Sequence, residues 1–83
     1  MTEYLKFLGR RQELNLEKRK TEIHIQGLIK NLRDALDPLI SIVELKTDAI
    51  AEWAIELTVA RDRYMEILDG LKQIEGILGK NCG

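Results

Sequence analysis

A heptad-like row of apolar residues runs through the second half of this chain. Its members recur at alternating spacings of three and four residues, and only Lys46 among them is neither apolar nor aromatic. Such a row lies on one side of an α-helix and has to be covered by another helix. We call this row, with its counterpart in the first half, the seam. Its second-half members are Val43, Lys46, Ile50, Trp53, Leu57, Ala60, Tyr64, Ile67, Leu71, Ile74 and Leu78.

The first half has a seam of its own, and the two halves are out of register. The first-half members are Tyr4, Phe7, Arg11, Leu14, Lys18, Thr21, Ile25, Leu28, Leu32 and Ala35. Continued past Pro38, this register would bring Glu56, Arg63 and Gly70 into the core. Proline ends a helix but is accepted in the first turn of the next one, where Asp37 can cap the free amides. The sequence therefore predicts a break at 36–38.

The predicted fold is all-α: one domain over residues 1–83, forming an antiparallel, coiled-coil-like helical hairpin. We expect a helix at about 3–35, a turn at 36–38, a helix at about 38–78 with Gly79 as its cap, and a short flexible tail at 79–83. A hairpin folded at Pro38 pairs residues whose numbers sum to about 75, so Thr21 should lie beside Trp53 and Arg11 beside Tyr64. This pairing predicts a dry turn end and a more polar open end. A kinked long helix and an interruption at Gly70 stay open.

The stretch from Leu39 to Ala60 is too apolar to be covered by one helix. Ile23, Ile29 and Leu36 give the first helix a second apolar flank as well. Contiguous exposed aliphatic side chains usually mark an interface. We therefore expect a homodimer packed as a four-helix bundle, with a different helical protein as the alternative partner. The predicted interface residues are Leu39, Ile42, Leu45, Ala49, Trp53, Ile55 and Val59.

Charge is distributed unevenly over the two halves. Residues 1–36 carry eight basic and five acidic side chains, a net +3, and residues 37–83 carry five basic and nine acidic ones, a net −4, giving −1 overall. This asymmetry suits two helices that pack together. No signal peptide and no apolar run of membrane-spanning length is visible, so we expect a cytoplasmic protein without a membrane contact.

Two clusters of cations are candidate binding sites. A basic patch on the first helix could contact nucleic acid phosphates, but acids interrupt it and no aromatic platform accompanies it. Its members are Arg10, Arg11, Lys18, Arg19 and Lys20. Arg11, Lys18 and Lys46 occupy seam positions, where buried cations could hold an anionic small ligand. Snorkelling to water or specifying the register are the structural alternatives.

The remaining reactive side chains do not suggest chemistry. His24 is the only histidine and Cys82 the only cysteine, so we expect no metal, no cofactor and no catalytic residues. Glu44, Asp48 and Glu52 begin an acidic stripe, which is either a solvated helix face or a docking site for basic residues of a neighbouring helix. The sequence thus favours a non-enzymatic structural or adaptor protein. A small nucleic-acid-binding regulator and an anion-binding bundle are the alternatives.

Overall fold

The chain forms an antiparallel helical hairpin. The structure, a computed structural model, describes the backbone of residues 2–82 and the side chains of residues 3–79. Helix α1 spans Thr2–Ala35 and helix α2 spans Thr47–Cys82, with a 3₁₀ turn at Ile42–Glu44 between them. The hairpin measures 62 × 17 × 14 Å. The predicted all-α hairpin is confirmed, and the kinked long helix is excluded because α1 and α2 pack against each other.

The seam is the contact between the two helices. Every seam position that lies on α1 or α2 within residues 3–79 is buried or half-buried, apart from the exposed Tyr4. The best-buried members include Leu14 and Leu28 on α1, and Ile67 and Ile74 on α2. Alternating spacings of three and four keep such residues on one helix face, which explains why the row predicted this contact.

The connection between the helices is longer than the predicted turn at 36–38. It occupies residues 36–46, and α2 begins at Thr47 rather than at Pro38. Asp37 does accept a hydrogen bond at Oδ1 from the Leu39 amide (2.9 Å) and one at its carbonyl from the Ile40 amide (3.0 Å), but no α-helix follows. Those bonds close a tight turn. The β-branched residues that follow have low helix propensity, and Asp48 lies in the first turn of α2.

The longer connection changes which residues face each other. The structure joins Leu14 with Gly70, Glu17 with Arg63, and Glu22 with Tyr64. Their numbers sum to 84, 80 and 86, so the predicted sum of about 75 is wrong by roughly one heptad. A shift of one heptad leaves the same rows facing inward. The seam prediction therefore holds along α1 and α2, but it is wrong for Val43 and Lys46, which are exposed in the connection, and the predicted partners are wrong as well.

The packing is tightest at the open end, which contradicts the predicted dry turn end. Leu14, Ile67, Leu71, Ile74 and Leu78 form the buried cluster, and Phe7 and Leu8 pack against it. At the turn end, Ile40 and Leu45 of the connection are only half-buried, and so are the seam residues Leu32, Ala35, Ile50 and Trp53. Even in the cluster no described side chain is fully buried, as expected of a layer only two helices thick.

Three smaller expectations concern α2. The helix is continuous through Gly70, where the side chain of Leu14 packs against the glycine. It also continues past Gly79 to Cys82, beyond the predicted end at 78, while the flexibility of 79–83 stays a prediction and Gly83 lies outside the described residues. The side chain of Cys82 likewise lies outside them.

Candidate interaction surfaces

The connection presents an apolar tip. Leu39, Ile42 and Val43 are 91%, 90% and 96% exposed. Isolated exposed aliphatic residues are ordinary, but three nearly bare ones within five positions of a single connection are not. Ile40 and Leu45 are half-buried, and Ile40 borders a pocket of about 230 Å³ at this end with Trp53 and Ala35.

One side of the hairpin carries a groove between the helices. It has a volume of about 460 Å³ and a floor made of Thr21 and Ala60, two small residues that meet across the seam. Its walls are Lys20, His24, Ile55, Glu56, Val59 and Arg63. Thr21 donates a hydrogen bond from Oγ1 to the Glu17 carbonyl (2.8 Å) and does not lie beside Trp53, contrary to the prediction. The groove therefore presents a mostly apolar surface, with the charged Lys20, Glu56 and Arg63 among the residues that border it.

The opposite side carries an apolar surface near the connection, which we call the turn patch. It consists of Ile25, Ile29 and Leu32 on α1, Leu36 directly after α1, and Ile50, Ala54 and Leu57 on α2. None of them carries a charge, and all are half-buried or exposed. The two rows lie on the same side of the hairpin, because they continue helically from Glu22 and Tyr64, which are hydrogen-bonded to each other.

Two polar contacts between the helices mark these two sides. On the side of the turn patch, Tyr64 donates a hydrogen bond from its hydroxyl to Glu22 Oε1 (3.1 Å). Desolvation of the phenol, followed by this bond and the negative charge of Glu22, raises the pKa of Tyr64 above its ordinary 10.0. On the side of the groove, Arg63 Nη2 lies 3.5 Å from Glu17 Oε2. Because the helices are shifted by about one heptad from the predicted pairing, Arg11 does not lie opposite Tyr64, contrary to the prediction.

The predicted interface residues do not share one face. Leu39 and Ile42 lie in the connection, and Ile55 and Val59 lie two to four turns along α2, on the wall of the groove. Leu45, Ala49 and Trp53 are half-buried. Sequence reasoning identified Ile29 and Leu36 as an apolar flank but did not connect them with Ile50 and Ala54, because that juxtaposition depends on the register of the hairpin.

The predicted basic patch is divided among different sides of α1. Arg10 pairs with Glu13 at 3.5 Å, and Arg11 and Lys18 are half-buried on the seam. Lys18 and Arg19 border one depression with Glu22, whereas Lys20 borders the groove on the other side. The five basic residues therefore do not lie together on one surface of the hairpin. Nucleic-acid binding by these residues stays a prediction.

The three seam cations are not brought together. Lys46 lies in the connection and borders the same pocket as Ala35. Ala35 follows Arg11 by 24 residues on α1, about 36 Å along the helix axis. A single small anion therefore cannot contact Arg11 and Lys46 at the same time. The anion site centred on Arg11, Lys18 and Lys46 is therefore not formed in one chain.

The described residues show no arrangement for a bound metal ion and no membrane span. Among them, no group of three or more His, Cys, Asp or Glu side chains could hold a metal ion, and His24 is an exposed residue on the wall of the groove. Neither described helix is long and apolar enough to cross a membrane.

Comparisons with protein-family models, with curated proteins and with solved structures found no match to this chain.

Proposed function

We propose that this chain is a non-enzymatic structural or adaptor protein that acts by helix–helix association, first of all with a second copy of itself. The observation that carries this proposal is its unused apolar surface. The turn patch and the apolar tip both leave aliphatic side chains in water, at a cost of roughly 25 cal/mol for each Å² of apolar surface. Association with further helices removes that cost.

The total surface supports the same proposal. The hairpin has a solvent-accessible surface of 6849 Å², whereas a compact monomer of the same 9.6 kDa exposes roughly 5,100 Å². The difference of roughly 1,700 Å² is about twice the 800 Å² that each partner contributes to a standard protein interface. A chain of this size commonly completes its core by oligomerisation. A four-helix bundle of two hairpins is the simplest such assembly.

The test is the solution mass of the purified chain, measured by light scattering after size exclusion over a range of concentrations. We expect a compact dimer of twice 9.6 kDa that dissociates on dilution. Far-UV circular dichroism of the same samples reports whether the helices persist. A chain that remains a folded monomer at the highest concentration would contradict the proposal, because its apolar surfaces would then be stable in water.

A further inference from the structure

We propose that the turn patch is the surface on which a second copy docks, with a two-fold axis that runs along the hairpin. In this arrangement α1 of each copy lies against α2 of the other, and both connections lie at the same end. The inference rests on the proposed function and adds the face, the partner helix and the direction of the axis. It also replaces the residue set that the sequence alone indicated.

Burial along the seam singles out the turn half. In the open half, Leu71 and Leu78 are buried, but the corresponding positions Ile50 and Leu57 are only half-buried. On α1, Ile25 and Leu32 are half-buried in the same way, although all four belong to the contact between the helices. All four also belong to the turn patch. A further layer of helices on that side would complete their burial.

Shape complementarity favours α1 against α2 of the partner. The observed pairs place Ile29 at the same height along the hairpin as Ala54, since facing residue numbers sum to between 80 and 86. A two-fold axis along the hairpin sets the large Ile29 of one copy over the small Ala54 of the other, twice per dimer. A two-fold axis across the hairpin would instead set Ile29 on Ile29 and Ala54 on Ala54, which leaves a gap between the two α2 helices. Close packing disfavours such a gap.

Charge complementarity points to the same axis. Glu22 and Arg61, at the edge of the turn patch, lie at the same height on α1 and α2. The axis along the hairpin brings Glu22 of each copy close to Arg61 of the other. The crosswise axis, centred on Ile29, would instead place Glu22 beside Leu36 of the partner, one helical turn away from the exposed Arg33. Electrostatic matching of this kind selects the orientation of partners more than it adds affinity.

The groove on the other side is a weaker candidate for the same partner. Lys20, Glu56 and Arg63 border it, and all three are exposed, whereas none of the seven turn-patch residues carries a charge. Interface centres are depleted in charged residues, as the turn patch is. The turn patch is therefore the better docking surface.

The first experiment compares two single substitutions on α1. Ile29→Ser changes the turn patch, and its control Ile23→Ser changes an aliphatic residue of α1 on another face; the two side chains are 49% and 63% exposed. Both variants should keep the helical content of the parent chain. We expect Ile29→Ser to weaken dimerisation, measured by sedimentation, at least about tenfold, and Ile23→Ser to change it less than about threefold.

The second experiment measures the direction of the axis. A spin label is attached to Gln73→Cys, an exposed position of α2, in a Cys82→Ser background, and the distance between the two labels of the dimer is recorded. Gln73 follows Ala54 by 19 residues, so a crosswise axis through the turn patch separates the labels by about 57 Å. An axis along the hairpin keeps them within the width of two hairpins, on the order of 35 Å.

The outcomes separate the two proposals. A dimer that is sensitive to Ile29→Ser and shows the short label distance supports the inference. A dimer with the long distance, or one equally sensitive to Ile23→Ser, overturns the inference and leaves the proposed function in place. A monomer at every concentration overturns both.

Discussion

The contact between Leu14 and Gly70 gives a quantitative test of the packing at the open end. A Cβ atom added at Gly70 would lie 3.3 Å from Leu14 Cδ1 and 4.0 Å from Cδ2. The same atom added at Gly76, on the same helix, would meet nothing within 4 Å. The two glycines therefore differ in their surroundings while sharing their secondary structure. Replacing each glycine by alanine therefore separates the effect of helix propensity on stability from the effect of packing against Leu14.

The expected magnitudes follow from these distances. Alanine is favoured over glycine in a helix interior by about 1 kcal/mol, and Gly76→Ala should gain most of that amount, raising the Tm by about 4–8 °C. At Gly70 the same gain is offset, because the buried Leu14 must move by a few tenths of an ångström or leave its preferred rotamer, at about 0.5–1.5 kcal/mol. We expect Gly70→Ala to change the free energy of unfolding by about 0.5 kcal/mol or less.

The assay is urea denaturation followed by far-UV circular dichroism, at one fixed protein concentration so that any association contributes equally. A double-mutant cycle with Leu14→Ala isolates the contact, because in that background Gly70→Ala should recover about 1 kcal/mol. If Gly70→Ala stabilises the parent chain as much as Gly76→Ala does, Leu14 does not pack on Gly70 and the pairing of the two helices described above is wrong.

Two further predictions concern pH and burial. Because the folded chain raises the pKa of Tyr64, it favours the neutral phenol, so this contribution is complete below the unfolded value of 10.0 and is lost as the pH rises through the higher folded value. Melting temperatures should therefore fall with pH above about 10, and less steeply in Tyr64→Phe than in the control Tyr4→Phe; equal slopes would contradict the Tyr64–Glu22 hydrogen bond. Leu28→Ala should cost about 2–5 kcal/mol, since Leu28 is 4% exposed. Leu16→Ala, at 58% exposure, should change the free energy of unfolding by about 0.5 kcal/mol or less, and similar losses at both positions would show that the seam is misplaced.

Much of the fold could be predicted because helix periodicity is a local property. The rows around Leu14 and Ile67 identify the buried faces without any knowledge of the partner. Pro38 correctly indicates where the first helix has to end. The start of α2 was missed because Asp37-Pro38 is compatible with both a helix N-terminus and a turn. The β-branched residues after Pro38, and Asp48 in the first turn of α2, were the available signals for the later start.

The candidate surfaces were less predictable than the fold. Ile29 could be recognised as an apolar flank residue, but a flank becomes a patch only when Ile50 and Ala54 lie beside it. Ile55 and Val59 looked equivalent to these residues in the sequence, yet they border a groove that charged residues border as well. The distribution of exposed aliphatic residues over two sides of a hairpin depends on the rotation of both helices, which composition does not specify.

The sequence by itself determined that two helices pair, which side of each faces the other, and where the first one ends. The tertiary structure decided how the helices align along their axes and therefore which residues surround the turn patch. The physical reason is that a heptad row is unchanged when it slides by seven residues. The connection at 36–46 and register-specific contacts, such as Leu14 on Gly70 and Tyr64 with Glu22, distinguish one alignment among those that bury the same seam.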